Sequence, residues 1–413
     1  MKLVWRGATL LLLAALIVGM GPGAASALEP VVRPWAQVFA YYSYNVSGYE
    51  KDDPRFDDND FNQFRIRRTW LGLDVEFNEV YSARVVLDTR PSDVTRYETT
   101  SVPSGAVDDP TTPEDESTTQ VVTAVQNDRS GRYEVWATYA YLRAMPFRYL
   151  GFDFGIVQSA YTSSIFRYWR HNYIMENVMF QYDLNRTQYG DQGLAMHGEF
   201  PGGFGGYRFA FLNGEGKHAQ EANAGKALEG QLHLAPFQFQ PALRGLEAMV
   251  YYQVDKQEPD HPELTNRVVE ALLAYRLDID DTMGFSINGE VIRREVESGD
   301  IDARQVIAGS DVNPVESLAY AVWADFWFAR NYGVLARYDY LDPNTENDSD
   351  TGVGYEDEQT MLLAGVWVQP IKYVRASLNY RQFAYTGDLV ATDGSTVDKT
   401  PDRFVFFNTE FKF

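Results

Sequence analysis

Residues 402–413 read DRFVFFNTEFKF, and the alternation within them decides how the rest of the chain is read. Every second residue from Arg403 (Val405, Phe407, Thr409, Phe411, Phe413) forms one nearly apolar row, whereas Asn408, Glu410 and Lys412 share the other with Phe404 and Phe406. A period of two belongs to a β-strand with one greasy and one wetter face. The sequence ends on Phe413 with no polar tail, so the terminal aromatic has to meet something apolar. In a soluble protein such an edge invites association with other edges. As the closing strand of a membrane barrel it faces lipid on one side and pairs its backbone with the first strand.

The other end of the sequence fits export. Lys2 and Arg6 precede an apolar run over residues 8–20, followed by the small residues Ala25, Ser26 and Ala27. This is the order of a secretory signal, with cleavage expected after Ala27, a signal segment 1–27 and a mature part 28–413. The run is short for a bilayer span, and no later stretch reaches the length of a transmembrane helix. The chain has no cysteine, so neither disulfides nor thiolate metal sites are available to it. The formal charge of −22 becomes −24 once Lys2 and Arg6 leave with the signal. Such acidity argues against nucleic acid as a partner, because nothing supplies a phosphate-neutralising basic stripe. Aromatic residues make up 15% of the chain, a surplus that the interfacial girdles of a barrel would use.

From Trp35 onward, periodic segments alternate with connections. The period predicts strands at residues 35–46, 61–77, 81–90, 132–145, 149–158, 193–200, 207–212 and 228–234. It continues at 246–255, 268–278, 284–294, 318–329, 332–341, 360–368, 373–385 and the closing segment, about sixteen in all. An even number is the rule for bacterial single-chain barrels. Rows expected to face lipid are Leu71, Leu73, Val75, Phe77; Tyr81, Ala83, Val85, Leu87; Val135, Ala137, Tyr139, Tyr141; Leu318, Tyr320, Val322, Ala324, Phe326, Phe328; and Val374, Ala376, Leu378, Tyr380. Arg143, Arg293 and Arg403 are outward exceptions near strand ends, where the roughly 2–4 kcal/mol cost of a charge at the bilayer midplane falls away.

The connections alternate between short and long, and all the short ones fall on the side where the first strand begins. That parity is the pattern of short periplasmic turns and long external loops. The expected fold is therefore an all-β, transmembrane antiparallel β-barrel of about 16 strands in the outer membrane of a diderm bacterium. Residues 91–131, rich in Thr, Pro and Asp, are expected to form a mobile external loop.

Several strands also carry familiar wording. Residues 64–77, FRIRRTWLGLDVEF, resemble the paired-arginine, Leu-Gly strand of the phosphate-selective porin O and P family. Residues 191–199, DQGLAMHGE, are similar to the Asp-x-Gly strand after that family's inward loop, and residues 211–214, FLNG, to its Asn-Gly hairpin end. The likeness runs in scattered short blocks over most of the mature chain. It implies a sixteen-stranded passive channel, usually trimeric, in an outer membrane. No phosphate-binding residue is carried over: phosphate-selecting members are similar in having an arginine ladder with pore lysines, whereas lysine is scarce here and only Lys412 falls on an assigned lumenal row.

A barrel of sixteen strands has a lumen wider than its own side chains fill. The candidate for narrowing it is the connection 159–190, which carries Tyr161, Phe166, Tyr168, Trp169, Tyr173 and Phe180, aromatics that need a wall to pack on. In it Arg167, Arg170, His171 and Arg186 lie close in sequence to Glu176 and Asp183, and opposite charges across a constriction would orient passing solutes. The alternative is an external lid packed on the rim or on a neighbouring subunit.

Pore-lining candidates on the wall are Arg68, Arg84, Asp88, Arg90, His197, Arg208, Arg337, Asp339, Arg375 and Arg381. Inward acids (Asp74, Glu76, Asp88, Glu134, Asp153, Glu199, Glu229, Glu247, Glu270, Glu290, Asp325, Asp339) outnumber inward bases (Arg68, Arg84, Arg90, Arg208, Arg276, Arg294, Arg337, Arg375, Arg381). The balance points to a mildly cation-preferring pore, unless the pairs merely neutralise one another. Asp348, Asp350, Glu356 and Glu358 lie in an oxygen-rich segment that lacks the spacing of a Ca²⁺ loop, so no metal is expected. His197 and His233 have no nucleophile or carboxylate partner in sequence and read as pore lining.

The expected function is a diffusion porin for small hydrophilic solutes or ions. It needs no cofactor, sits in a lipid bilayer with lipopolysaccharide, and forms a homotrimer. The alternatives from other classes are a barrel-type outer-membrane enzyme and a filled barrel serving adhesion or membrane integrity.

Overall fold

The computed structural model describes residues 29–47, 62–91, 94–102, 119–128, 133–185, 187, 189–214, 216, 225–258, 261–296, 315–343, 345, 358–386, 389–390, 396–397 and 401–413. Sixteen strands pair in sequence order and the last returns to the first, so the sheet closes. They are β1 (Val31–Ser47), β2 (Asn62–Glu76), β3 (Tyr81–Pro91), β4 (Tyr133–Phe147), β5 (Leu150–Gln158), β6 (Gly190–Glu199), β7 (Gly205–Leu212) and β8 (Lys226–Leu234). The second half comprises β9 (Leu246–Glu258), β10 (His261–Asp278), β11 (Gly284–Val296), β12 (Val315–Phe328), β13 (Tyr332–Asp342), β14 (Gln359–Ile371), β15 (Val374–Tyr385) and β16 (Asp402–Lys412). Every strand expected from the period of two is present, with ends shifted by a few residues.

Closure satisfies backbone groups that lipid cannot. β1 and β16 run antiparallel with Val38 opposite Phe411 and Tyr44 opposite Val405. Beyond β16, Phe413 donates its backbone N–H to the Ala36 carbonyl at 2.9 Å and accepts from the Ala36 N–H at 3.4 Å. No helix among the described residues is long and apolar enough to cross a membrane.

The two faces of the wall differ as the alternation requires. Leu71, Val85, Val250, Leu273, Val322 and Phe407 are exposed on the outside, while Asp88, Arg208, Glu270, Asn288 and Asn408 are buried on the inside. Aromatic residues gather at both rims of the outer face. Tyr320 stacks on Tyr340 at 4.7 Å near the end that carries the long connections, and Phe328 stacks on Tyr332 at 6.3 Å near the end that carries the tight turns. Belts of this kind sit at the two membrane interfaces.

Two bulges change which residues face inward. The partner of β1 jumps from Arg68 to Ile66 between Phe39 and Ala40, leaving Arg67 as an extra residue in β2. The partner of β3 jumps from Tyr139 to Ala137 between Val86 and Leu87, leaving Thr138 extra in β4. One extra residue inverts every side chain that follows. Tyr139 and Tyr141, expected to face lipid, therefore lie inside and are buried, and Arg143 follows them inward to bind Asp153. Opposite Tyr141, Gly155 has φ 128°, and a β-carbon there would lie 2.2 Å from the Ala140 carbonyl oxygen. Only glycine fits that approach.

The connection over residues 91–131 contains a hairpin of its own, Val94–Val102 paired with Thr119–Asp128. Runs of Val and Thr within it suit paired strand backbone, a signal overshadowed in the sequence by the surrounding Pro and Asp.

Candidate functional site

The Asp-x-Gly and Asn-Gly blocks meet where β6 and β7 flank the long connection that precedes β6. The Asp191 carboxylate accepts backbone N–H groups from Gln192 and from Gly214, both at 2.6 Å, which ties the two strand ends together. From there back to the end of β5, the described residues between 159 and 189 do not stay at the rim. They fold into the barrel as two short helices, α1 (Thr162–Tyr168) and α2 (Val178–Gln181), joined by irregular backbone.

Inside the barrel the aromatics find their wall. Tyr161, Trp169, Tyr173 and Tyr189 are each at most 2% exposed. Tyr161 sits edge-on to Phe180 and against Tyr251, and Phe180 stacks on Tyr189 at 4.3 Å. Asn177 caps α2 by accepting the Phe180 N–H and also accepts the Tyr161 hydroxyl at 2.9 Å. Irregular backbone away from water needs partners for its carbonyls, and the wall supplies them. Arg337 donates to Glu176 O at 2.6 Å, Arg375 to Arg170 O at 3.0 Å, Arg381 to Ile174 O at 2.9 Å, and Trp323 to Tyr168 O at 3.3 Å. Arg67 donates to Asn172 O at 2.8 Å and Ile174 O at 3.1 Å. On the opposite wall, Glu229 accepts the Ala160 N–H at 2.6 Å.

Most inward carboxylates are engaged. Asp153, fully buried, holds Arg143 at 2.7 Å, Arg208 at 3.0 Å and His197 at 3.3 Å. Asp339 takes both arms of Arg337 at 2.7 Å, and Asp74 takes Arg84 at 2.6 Å. Glu410 pairs with Arg375 and with Lys412, Asp325 with His171 at 3.0 Å, and Glu247 with Arg167 at 3.0 Å. Glu270 and Glu290 are buried on β10 and β11 behind the inserted segment. Counting inward acids therefore overstates the negative charge that a solute would meet.

The space left beside the inserted segment has the opposite sign. A cavity of about 350 Å³ opens between it and the arc formed by β15, β16, β1, β2 and β3. Among the described residues its lining includes Arg65, Arg67, Arg68, Arg90 and Arg381 against one carboxylate, Glu176, with Tyr41, Phe406, Ile174, Met175, Gln181 and Asn408. Asp88 lies behind this surface, fully buried, at 3.3 Å from Arg68 and 3.0 Å from Arg90. Glu176 lies 3.2 Å from Arg68 and 4.0 Å from Arg67, and accepts the Tyr189 hydroxyl at 2.8 Å. Burial pushes the Glu176 carboxyl up, but Arg68, Arg67 and Tyr189 outweigh it and hold it below its ordinary value.

Of the residues singled out in the sequence, Arg68, Arg90, Glu176 and Arg381 meet at this opening, with Asp88 directly behind. Arg337, Asp339, His171 and Arg375 anchor the inserted segment instead, and Arg167 reaches the wall at Glu247. Arg84, His197 and Arg208 belong to ion pairs of the wall, and Arg170 is exposed. Arg186, Asp348, Asp350 and Glu356 fall outside the described residues, as does the signal segment. Arg65, Arg67, Tyr41 and Phe406 were missed. Arginine at three of four positions in the RIRR run was the available signal, but strict alternation sends Arg67 to the lipid side.

No family model matches the sequence, and no curated protein does. Solved structures do resemble the fold. OmpT, an outer membrane protein of Vibrio cholerae in a trimer form, aligns over 93% of this chain and 99% of its own with a TM-score of 0.53 and 11% identity. The outer membrane channel DcaP of Acinetobacter baumannii aligns over 94% and 99% with a TM-score of 0.51 and 12% identity. An anion-selective porin from Comamonas acidovorans aligns over 93% and 100% with a TM-score of 0.56 and 9% identity. At such identities the likeness is one of architecture: this chain has the closed sixteen-stranded fold of outer-membrane barrels.

Proposed function

We propose that the chain is an outer-membrane porin, a water-filled channel through which small hydrophilic solutes or ions diffuse passively, and that residues 159–190 narrow its path. The observation that carries this reading is the open, charged space of about 350 Å³ left between the inserted segment and the wall of a closed barrel. A segment serving only to plug the lumen has no need to leave five arginines facing a cavity. The names of the channel and the porin among the structural neighbours agree with this reading.

On this reading the tight turns face the periplasm and the long connections face outward, where lipopolysaccharide surrounds them. Three copies assemble side by side, as the trimer form of the Vibrio cholerae protein does. The blocks in β2 and at β6 and β7 resemble those of the phosphate-selective porin O and P family, without that family's lysines. The protein is a conduit and not a catalyst, and works without a cofactor or metal.

Swelling of liposomes containing the refolded mature chain tests this directly. Small neutral sugars should enter far faster than into protein-free liposomes, with the rate falling as sugar size rises. Entry at the protein-free rate would contradict the reading, and hydrolysis of lipid or peptide by the same preparation would favour an enzyme.

A further inference from the structure

We propose that the opening is a binding site for organic anions that join a carboxylate to a flat apolar body, with aromatic carboxylates as the fitting class. This rests on the channel reading above and adds the chemistry of the solute.

Charge comes first. Among the described residues, five guanidinium groups line the cavity with one partly buried carboxylate, Glu176, and with Asp88 buried behind Arg68 and Arg90, a balance that stays positive, so an anion is drawn in and an organic cation is repelled. Part of this charge is not cancelled by the protein. Arg381 donates to a carbonyl and two side-chain amides, all neutral, and Arg67 donates to two carbonyls with Glu176 4.0 Å away, whereas Arg68 and Arg90 share the buried Asp88. Arg68 is buried, yet its Nη1 has no hydrogen-bond partner, and neither has Nη2 of Arg90. A carboxylate accepts two parallel N–H groups from such donors.

The remaining lining is what separates an organic from an inorganic anion. The Arg381 guanidinium lies 3.7 Å from the Phe406 ring centroid, and Tyr41 packs edge-on against the same ring at 5.4 Å. Ile174 and Met175 of the inserted segment face the cavity as well. A small oxoanion would use the arginines and leave these apolar groups against water. A flat ring bearing a carboxylate covers both, stacking beside Phe406 while its oxygens meet the guanidinium groups. The volume of about 350 Å³ also lies within the usual range for small-molecule pockets, about 300–1,000 Å³.

Calorimetric titration of the refolded full-length mature barrel in detergent, with benzoate, acetate, inorganic phosphate and benzylamine as probes, reads binding independently of conduction. Benzoate should bind about tenfold more tightly than acetate or phosphate, the worth of one aromatic contact, and benzylamine should not bind. Phe406→Ala should bring benzoate down to the level of acetate, with Phe406→Leu intermediate. Arg67→Gln combined with Arg381→Gln should weaken all three anions, and lysine at both positions should restore part of the loss. Phosphate or benzylamine binding as tightly as benzoate would overturn the proposal, as would a Phe406→Ala variant that keeps the preference. Channels that conduct but show no such binding would sink this inference alone. Benzoate binding by a barrel that does not conduct would support the site and sink the channel.

Discussion

Arg67 and Arg68 are neighbours in the chain, yet both guanidinium groups lie inside the barrel. Arg67 reaches the carbonyls of Asn172 and Ile174, while Arg68 reaches Asp88 at 3.3 Å and Glu176 at 3.2 Å. Neighbours on a regular strand point to opposite faces, and the bulge opposite Phe39 and Ala40 is what turns both inward. Together they fix the middle of the inserted segment from one side. Arg67→Gln should therefore loosen this segment without opening the wall. Hydrogen exchange should quicken at residues 171–176 with protection lost by about 1.5–3 kcal/mol, the worth of a hydrogen bond to a charged group, and stay unchanged in β2. Unchanged exchange at 171–176 would show that the segment does not depend on this anchor.

Asp153 gathers Arg143, Arg208 and His197 with none of its own surface exposed. Asp153→Asn keeps the shape and removes the charge that holds two arginines together. Breaking a buried pair from one side costs about 3–5 kcal/mol, so the variant should unfold at clearly lower guanidinium chloride than the parent. Removing Arg208 as well, as Asp153→Asn with Arg208→Met, should recover part of the loss.

Glu176 gives the opening its pH dependence. Its carboxyl is held below the ordinary value of 4.5, so its pairing with Arg68 and Arg67 contributes stability above that value and loses it as pH falls through the lower, folded one. Protonation removes the charge of the one carboxylate that lines the opening among the described residues. The preference for anions over cations, read as reversal potential in a salt gradient, should stay flat down to pH 4.5 and rise below it. Glu176→Gln should start at the higher preference and lose this part of the pH response, which separates it from the other carboxylates titrating in the same range.

On the outer face the same physics runs the other way. Val322 lies midway along β12 and is about half exposed on the outer face. Val322→Arg should cost about 2–4 kcal/mol in folding into lipid vesicles. A variant that folds into vesicles as well as the parent would mean that this face does not meet hydrocarbon.

The wall was legible in the sequence because a period of two is imposed by strand geometry and by the two different solvents on its faces. The aromatic run at 161–180 marked the segment that enters the lumen. Three features were hidden. Bulges at Arg67 and Thr138 invert faces through a single extra residue whose position depends on the partner strand, so Tyr139, Tyr141 and Arg143 were read on the wrong side. The charge of the opening was also hidden, since an inward Asp such as Asp153 counts for nothing once register places Arg143 and Arg208 beside it. Finally, Phe406 and Tyr41 sit on strands far apart in sequence that become neighbours only when β16 closes on β1.

Unit conductance of the refolded mature chain in planar bilayers tests the central claim most directly, that a closed barrel encloses an aqueous path past the inserted segment. Discrete steps that grow with salt concentration, with a reversal potential of anionic sign, are the expected result. A folded barrel, verified by its migration before and after heating, that inserts and yields no steps would contradict it.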